Sequence, residues 1–132
     1  MKINKKLLPM EDLLNYANDF SGYSGTGGAG AWNDLHQAKQ FTLKKGKYLL
    51  ITKIGASGQT GIFTVRIMKN GNEIPYSRST MPLTNNLTSS NVDTVVFNND
   101  EDGTYNFVTQ AYSSVPYSLA SIKYNFIRIG DV

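Results

Sequence analysis

From Phe41 to the end of the chain, apolar runs of about five to eight residues alternate with turn signals, and no segment there keeps helical spacing. That pattern confines the chain to all-β folds. Strands are expected at Gln40 to Leu43, Gly46 to Gly55, Gly61 to Lys69, Glu73 to Ser79, Thr94 to Asn98, Gly103 to Tyr112 and Ser121 to Gly130. Met68-Lys69-Asn70-Gly71-Asn72 reads as a hairpin, because Asn-Gly accepts positive φ at both central positions of a type I′ turn. Just before it, Phe63, Val65 and Ile67 alternate with Thr64, Arg66 and Met68, which predicts one buried and one solvated face.

Two runs do not alternate. Tyr48-Leu49-Leu50-Ile51 and Phe126-Ile127 with Ile129 are apolar on both faces, although an antiparallel strand with one face in the core needs only one. The second face needs a cover, and in a chain of 132 residues a partner subunit is the natural one. Leu50, Ile127 and Ile129 are the candidate oligomer contacts.

Ahead of the strands, Met10, Leu13, Leu14 and Ala17 follow the i, i+3, i+4, i+7 spacing of one helical face, with Glu11 and Asp12 in the first turn. The expected organisation is therefore a helical segment over 1–20, a Gly-rich linker over 21–39 and a β-sandwich over 40–132. At 40% apolar and 17% charged residues the chain is too hydrophobic for disorder, and its surface is left to Asn, Ser, Thr and Gly. The formal charge of +3 is scattered apart from two short Lys clusters, with no basic stripe interleaved with aromatics, so no nucleic-acid partner is expected. There is no cysteine, hence no disulfide and no thiolate ligand. The apolar Leu7-Leu8 pair ends at Pro9, too short for a signal-peptide core, and no run is long enough to insert in a membrane. Synthesis in a bacterial cytoplasm fits.

The chemical motifs are weak. Gly25-Thr26-Gly27-Gly28-Ala29-Gly30 has dinucleotide-loop spacing but no preceding strand or βαβ unit, so it reads as linker. Asn98-x-Asp100-x-Asp102-Gly103 imitates the start of a calcium loop, yet Thr109 stands where a bidentate Glu is required, and a polar hairpin turn is the better reading. His36, the single histidine, has only Asp34 near it and assembles no local catalytic set. Asn86-Leu87-Thr88 matches a glycosylation acceptor, a pattern frequent by chance. No metal, cofactor or catalytic residue is assigned, and the chain reads as a binding or assembly protein rather than an enzyme. Trp32, Tyr76, Tyr112 and Tyr117, with Arg78, lie in or beside Gly/Ser/Pro-rich loops, where rings stack on sugars or anchor interfaces or, alternatively, seal the sandwich ends; the expected contact surface is a set of loops at one end of the sandwich, chiefly Tyr112 to Tyr117.

Phe41-Thr42-Leu43, Gly46-Lys47-Tyr48-Leu49 and Val65-Arg66-Ile67-Met68-Lys69-Asn70-Gly71 with Ile74 resemble the opening half of C1q/TNF-like jelly rolls. Gly103-Thr104-Tyr105 and Tyr124-Asn125-Phe126-Ile127-Arg128-Ile129 resemble the closing strands of jelly-roll heads on bacteriophage tail and head fibres. The resemblance spans about Gln40 to Val132 and lacks the Phe-x-Gly that closes C1q domains, which favours the phage type. It implies a jelly-roll antiparallel β-sandwich, a homotrimer, a place in the virion beside other virion proteins, and contact with a host cell-surface glycan or protein. The alternatives are a monomeric carbohydrate-binding module and a capsid decoration protein.

Overall fold

The computed structural model describes residues 15–19, 25–27 and 30–132 of the chain. Among the described residues eleven strands form two antiparallel sheets. In chain order they are β1 (Asn15–Asp19), β2 (Gly25–Gly27), β3 (Asn33–Asp34), β4 (Lys39–Leu43), β5 (Gly46–Gly58), β6 (Gly61–Lys69), β7 (Asn72–Glu73), β8 (Ser79–Leu83), β9 (Ser89–Asn99), β10 (Gly103–Ser113) and β11 (Tyr117–Gly130). One sheet runs β1-β11-β5-β9, with β2 further along the edge of β11. The other runs β3-β10-β6-β7, with β4 further along β10 and β8 further along β6.

Strict alternation builds the core between the sheets. Phe63, Val65 and Ile67 of β6 are buried, as are Tyr48, Leu50, Thr52 and Ile54 of β5 and Val95, Phe97 and Asn99 of β9. Rings from the two sheets meet in the centre: Phe107 of β10 lies 4.9 Å from Phe126 of β11 between ring centroids, and Phe41 of β4 lies 4.7 Å from Phe126. Such edge-on and tilted packing is the favoured geometry of aromatic pairs. The Asn70-Gly71 hairpin forms as expected, with φ of 49° and 81° and Lys69 facing Asn72. The polar segment after β9, expected as a hairpin turn, instead carries the chain from one sheet to the other, since β9 pairs with β5 and β10 with β4 and β6; Asp102 Oδ1 accepts there from the Lys45 N–H at 2.6 Å.

Several boundaries differ from expectation. Asn15 to Ala17, the end of the expected helix, are strand and pair with Ile127 to Asn125 of β11; the rest of that helix lies outside the described residues. A short segment gains little from helical spacing alone, and the edge of β11 offers a ladder of backbone partners. The expected linker is partly structure too. Gly25–Gly27 pairs with β11, Leu35 N–H donates to Thr109 C=O at 2.9 Å, and Leu35 and His36 are buried. The strand expected over Glu73 to Ser79 breaks after Glu73. Ile74 N–H still donates to Ile67 C=O, but Tyr76 takes φ of 65° and Ser77 turns inward, its Oγ accepting from the Ile67 N–H at 3.1 Å.

Two register shifts interrupt the pairing of β11 with β5. Between Leu119 and Ser121 the register against β5 shifts, so the buried set changes from Tyr117 and Leu119 to Ile122, Tyr124 and Phe126. An extra residue in one strand reverses which side chains face inward. A second shift follows Arg128.

Candidate functional site

On the outer face of the β10–β6 pair, register sets two rows of side chains. Gln110 stands opposite Arg66, Tyr112 opposite Thr64, and Thr64 in turn opposite Thr80 of β8. β3 adds itself on the other edge of β10, with Asp34 opposite Gln110. That pairing delivers Trp32, the residue before β3, to the same face.

There the indole packs on two guanidinium groups. Arg66 Cζ is 4.1 Å and Arg78 Cζ 5.1 Å from the Trp32 ring centroid, and the Tyr112 ring lies 5.8 Å from it at 59°. Glu73 holds both arginines in place. Arg78 Nη2 donates to Glu73 Oε1 at 2.8 Å and Arg66 Nη1 to the same oxygen at 3.1 Å, while Arg66 Nε donates to Gln110 Oε1 at 2.9 Å. Gln110 Nε2 completes the chain to Asp34 Oδ1 at 2.8 Å. The hydrogen bond and charge of Arg78, then those of Arg66, hold the Glu73 carboxyl below its usual range. The arginines are therefore oriented by a network rather than free to roam, and planar guanidinium on an aromatic face is a favourable, amphipathic contact. Tyr112 remains 42% exposed and the Arg78 side chain 54%, so the cluster presents a ring and a cation to solvent.

Of the five expected contact residues, the structure brings Trp32, Tyr112 and Arg78 together. Tyr76 stands two residues before Arg78, 93% exposed at the tip of the β7–β8 loop. Tyr117 is not at the surface: it is buried, its ring 4.9 Å from Phe63, because it precedes the Leu119/Ser121 bulge and so faces the core. Arg66, Glu73, Gln110 and Asp34 complete the cluster without having been singled out in the sequence. The signal for Arg66 was present in its place on the solvated face of β6; nothing local places Trp32 across from it.

The oligomer candidates divide similarly. Leu50 is fully buried, since it pairs with Phe126 and Val95 on the core side of β5. It cannot contact another subunit. Ile127 and Ile129 face outward, Ile129 being 44% exposed. Their true neighbours on that outer face are Leu49, which pairs with both Ile127 and Val96, and Ile51 in the next row.

His36 is an internal fastener. Its Nδ1–H donates to Gln37 C=O at 2.6 Å, and Nε2 accepts the Thr109 N–H at 3.0 Å and lies 3.2 Å from the Tyr124 hydroxyl, which also bonds Thr109 Oγ1. Burial lowers the histidine pKa and pushes the Tyr124 hydroxyl above its usual range. No His, Cys, Asp and Glu grouping able to hold a metal ion occurs among the described residues.

No protein-family model matches this chain. A search of curated proteins finds no significant match either.

Proposed function

We propose that the chain is a non-catalytic binding module of a bacteriophage particle: a jelly-roll head, assembled as a homotrimer, that contacts the host surface through the outer face of β3, β10 and β6. The observation that carries the binding site is the Trp32–Arg66–Arg78–Tyr112 cluster, held by Glu73 and open to solvent. Trp, Tyr and Arg are the residues that dominate binding hot spots, and rings already fixed by packing lose little entropy when a ligand arrives. The virion placement and the trimer follow from the likeness of Gln40 to Val132 to phage fibre heads. Leu49, Ile51, Val96 and Ile127 on the outer face of the other sheet supply an apolar surface for the subunit contact.

The test is binding of the purified protein to host cells and to a glycan array, beside the melting temperature. Tyr112→Ala and Arg78→Ala are expected to reduce binding at least tenfold, about 1.4 kcal/mol, with melting nearly unchanged. Tyr117→Ala should instead unfold the domain, losing about 3–5 kcal/mol as a large core side chain is removed. Full binding by both surface variants would move the contact surface elsewhere. The Trp32 and Tyr112 rings also suit a sugar platform in a monomeric carbohydrate-binding module. A solution mass of one chain, 14.6 kDa, with glycan binding intact would favour that reading.

A further inference from the structure

At one end of the molecule the inward rows of two strands turn polar, and they do so at residues that meet. The core side of β6 runs Phe63, Val65, Ile67 and then Lys69; the core side of β9 runs Val95, Phe97 and then Asn99. The two strands belong to opposite sheets. Lys69 Nζ donates to Asn99 Oδ1 at 3.1 Å. The carboxamide is fully buried and cannot turn, because Nδ2 donates to Lys44 C=O at 3.0 Å and Glu101 C=O at 2.9 Å.

The amine sits among rings. Its Nζ is 4.2 Å from the Tyr105 ring centroid and 5.7 Å from that of Phe97, and among the described residues no carboxylate forms an ion pair with it. Burial lowers its pKa, opposed by the charge of Asp100, the residue after Asn99. A lysine whose charged form is disfavoured is a nucleophile, the logic by which desolvated lysines act in covalent chemistry. Holding it against a fixed carboxamide supplies the proximity that such a reaction needs.

We infer that Lys69 and Asn99 join in an intramolecular isopeptide bond that staples the two sheets. Unprotonated Nζ attacks Asn99 Cγ, one bond beyond the oxygen it already touches. The Nζ–Cγ bond forms, the Cγ–Nδ2 bond breaks, and Nδ2 leaves as ammonia carrying the single proton surrendered by Nζ. Asp100, whose charge acts on Nζ, relays it. No oxidant or cofactor is consumed, since a lysine ammonium and a carboxamide give a secondary amide and ammonium. The link ties positions 30 residues apart in a chain without cysteine, where a cross-link restricts the unfolded state as a disulfide would. It stands independently of what the Trp32 surface binds.

Intact mass of the purified full chain, incubated overnight at mildly alkaline pH, decides the matter. The expected mass is lower than that of the sequence by one ammonia, with a branched tryptic peptide joining the segments that contain Lys69 and Asn99. Lys69→Arg keeps the charge and cannot form the bond; it should show its full sequence mass and melt several degrees lower. Asp100→Asn should accumulate the linked form at least tenfold more slowly. Wild type at its full sequence mass, with no branched peptide, overturns the inference. Ammonia loss that persists in Lys69→Arg overturns it as well, because Asn70-Gly71 can lose ammonia alone by closing to a succinimide.

Discussion

Inside the core, His36 Nε2 accepts the Thr109 N–H, so this ring has to be neutral for the native hydrogen bonds to form. Desolvation lowers its pKa from the ordinary 6.5, and Lys39 adds to that shift while the Gln37 carbonyl and Asp34 oppose it. The unfolded chain therefore takes up the proton first as pH falls. Stability from this site is complete above about pH 6.5 and is lost as pH falls through the lower, folded value. Melting temperature measured from pH 7.5 downward should fall across that window. His36→Phe should lose that part of the slope while costing about 1–3 kcal/mol at neutral pH, because Thr109 N–H is left buried without an acceptor. An unchanged slope in the variant would remove His36 as its source.

Elements add what single residues cannot, namely phase. The β6–β7 hairpin sets Met68 opposite Glu73 and thereby carries the carboxylate to Arg66. Its tightness depends on Gly71 at φ of 81°, with nothing within 4 Å of where a Cβ would sit. Gly71→Ala should thus cost about 1 kcal/mol by backbone strain alone, read as a lower denaturant midpoint with unchanged slope. On β11 the bulge after Leu119 gives one strand two inward sets, and on β5 unbroken alternation puts Leu50 inside and Leu49 outside. A one-residue error of phase exchanges core and surface, which is how Leu50, read from a run apolar on both faces, and Tyr117, read from its place beside a loop, come to be misjudged.

For the whole molecule, the two sheets present outer faces of different character. The face of β3, β10 and β6 carries the Trp32 cluster, with its charges tied into a network. The face of β11, β5 and β9 carries Ile127, Leu49 and Val96 in one row, Val96 being 52% exposed. If copies associate there, Ile127→Asp should reduce the solution mass to one chain while the far-ultraviolet spectrum stays folded. Leu50→Asp should unfold the chain outright, since a carboxylate in the shared core has no partner. Light scattering with circular dichroism separates the two outcomes, and a wild type already monomeric at micromolar concentration would refute association on this face.

The all-β class, the antiparallel pairing and the Asn70-Gly71 hairpin were decided by the sequence alone, because alternation and turn chemistry act over a few residues. So was the solvated face of β6 that holds Arg66. Tertiary structure decided the rest. Asn15 to Ala17 became strand because β11 had an edge to pair, and Leu35 and His36 entered the core because β10 received the segment after Trp32. The site joins Trp32, Arg66, Glu73 and Tyr112 across four separate segments, and the Lys69–Asn99 contact joins opposite sheets. Local periodicity states how often a strand turns inward; which strand lies alongside, and in which register, is fixed only when the sheets close on one another.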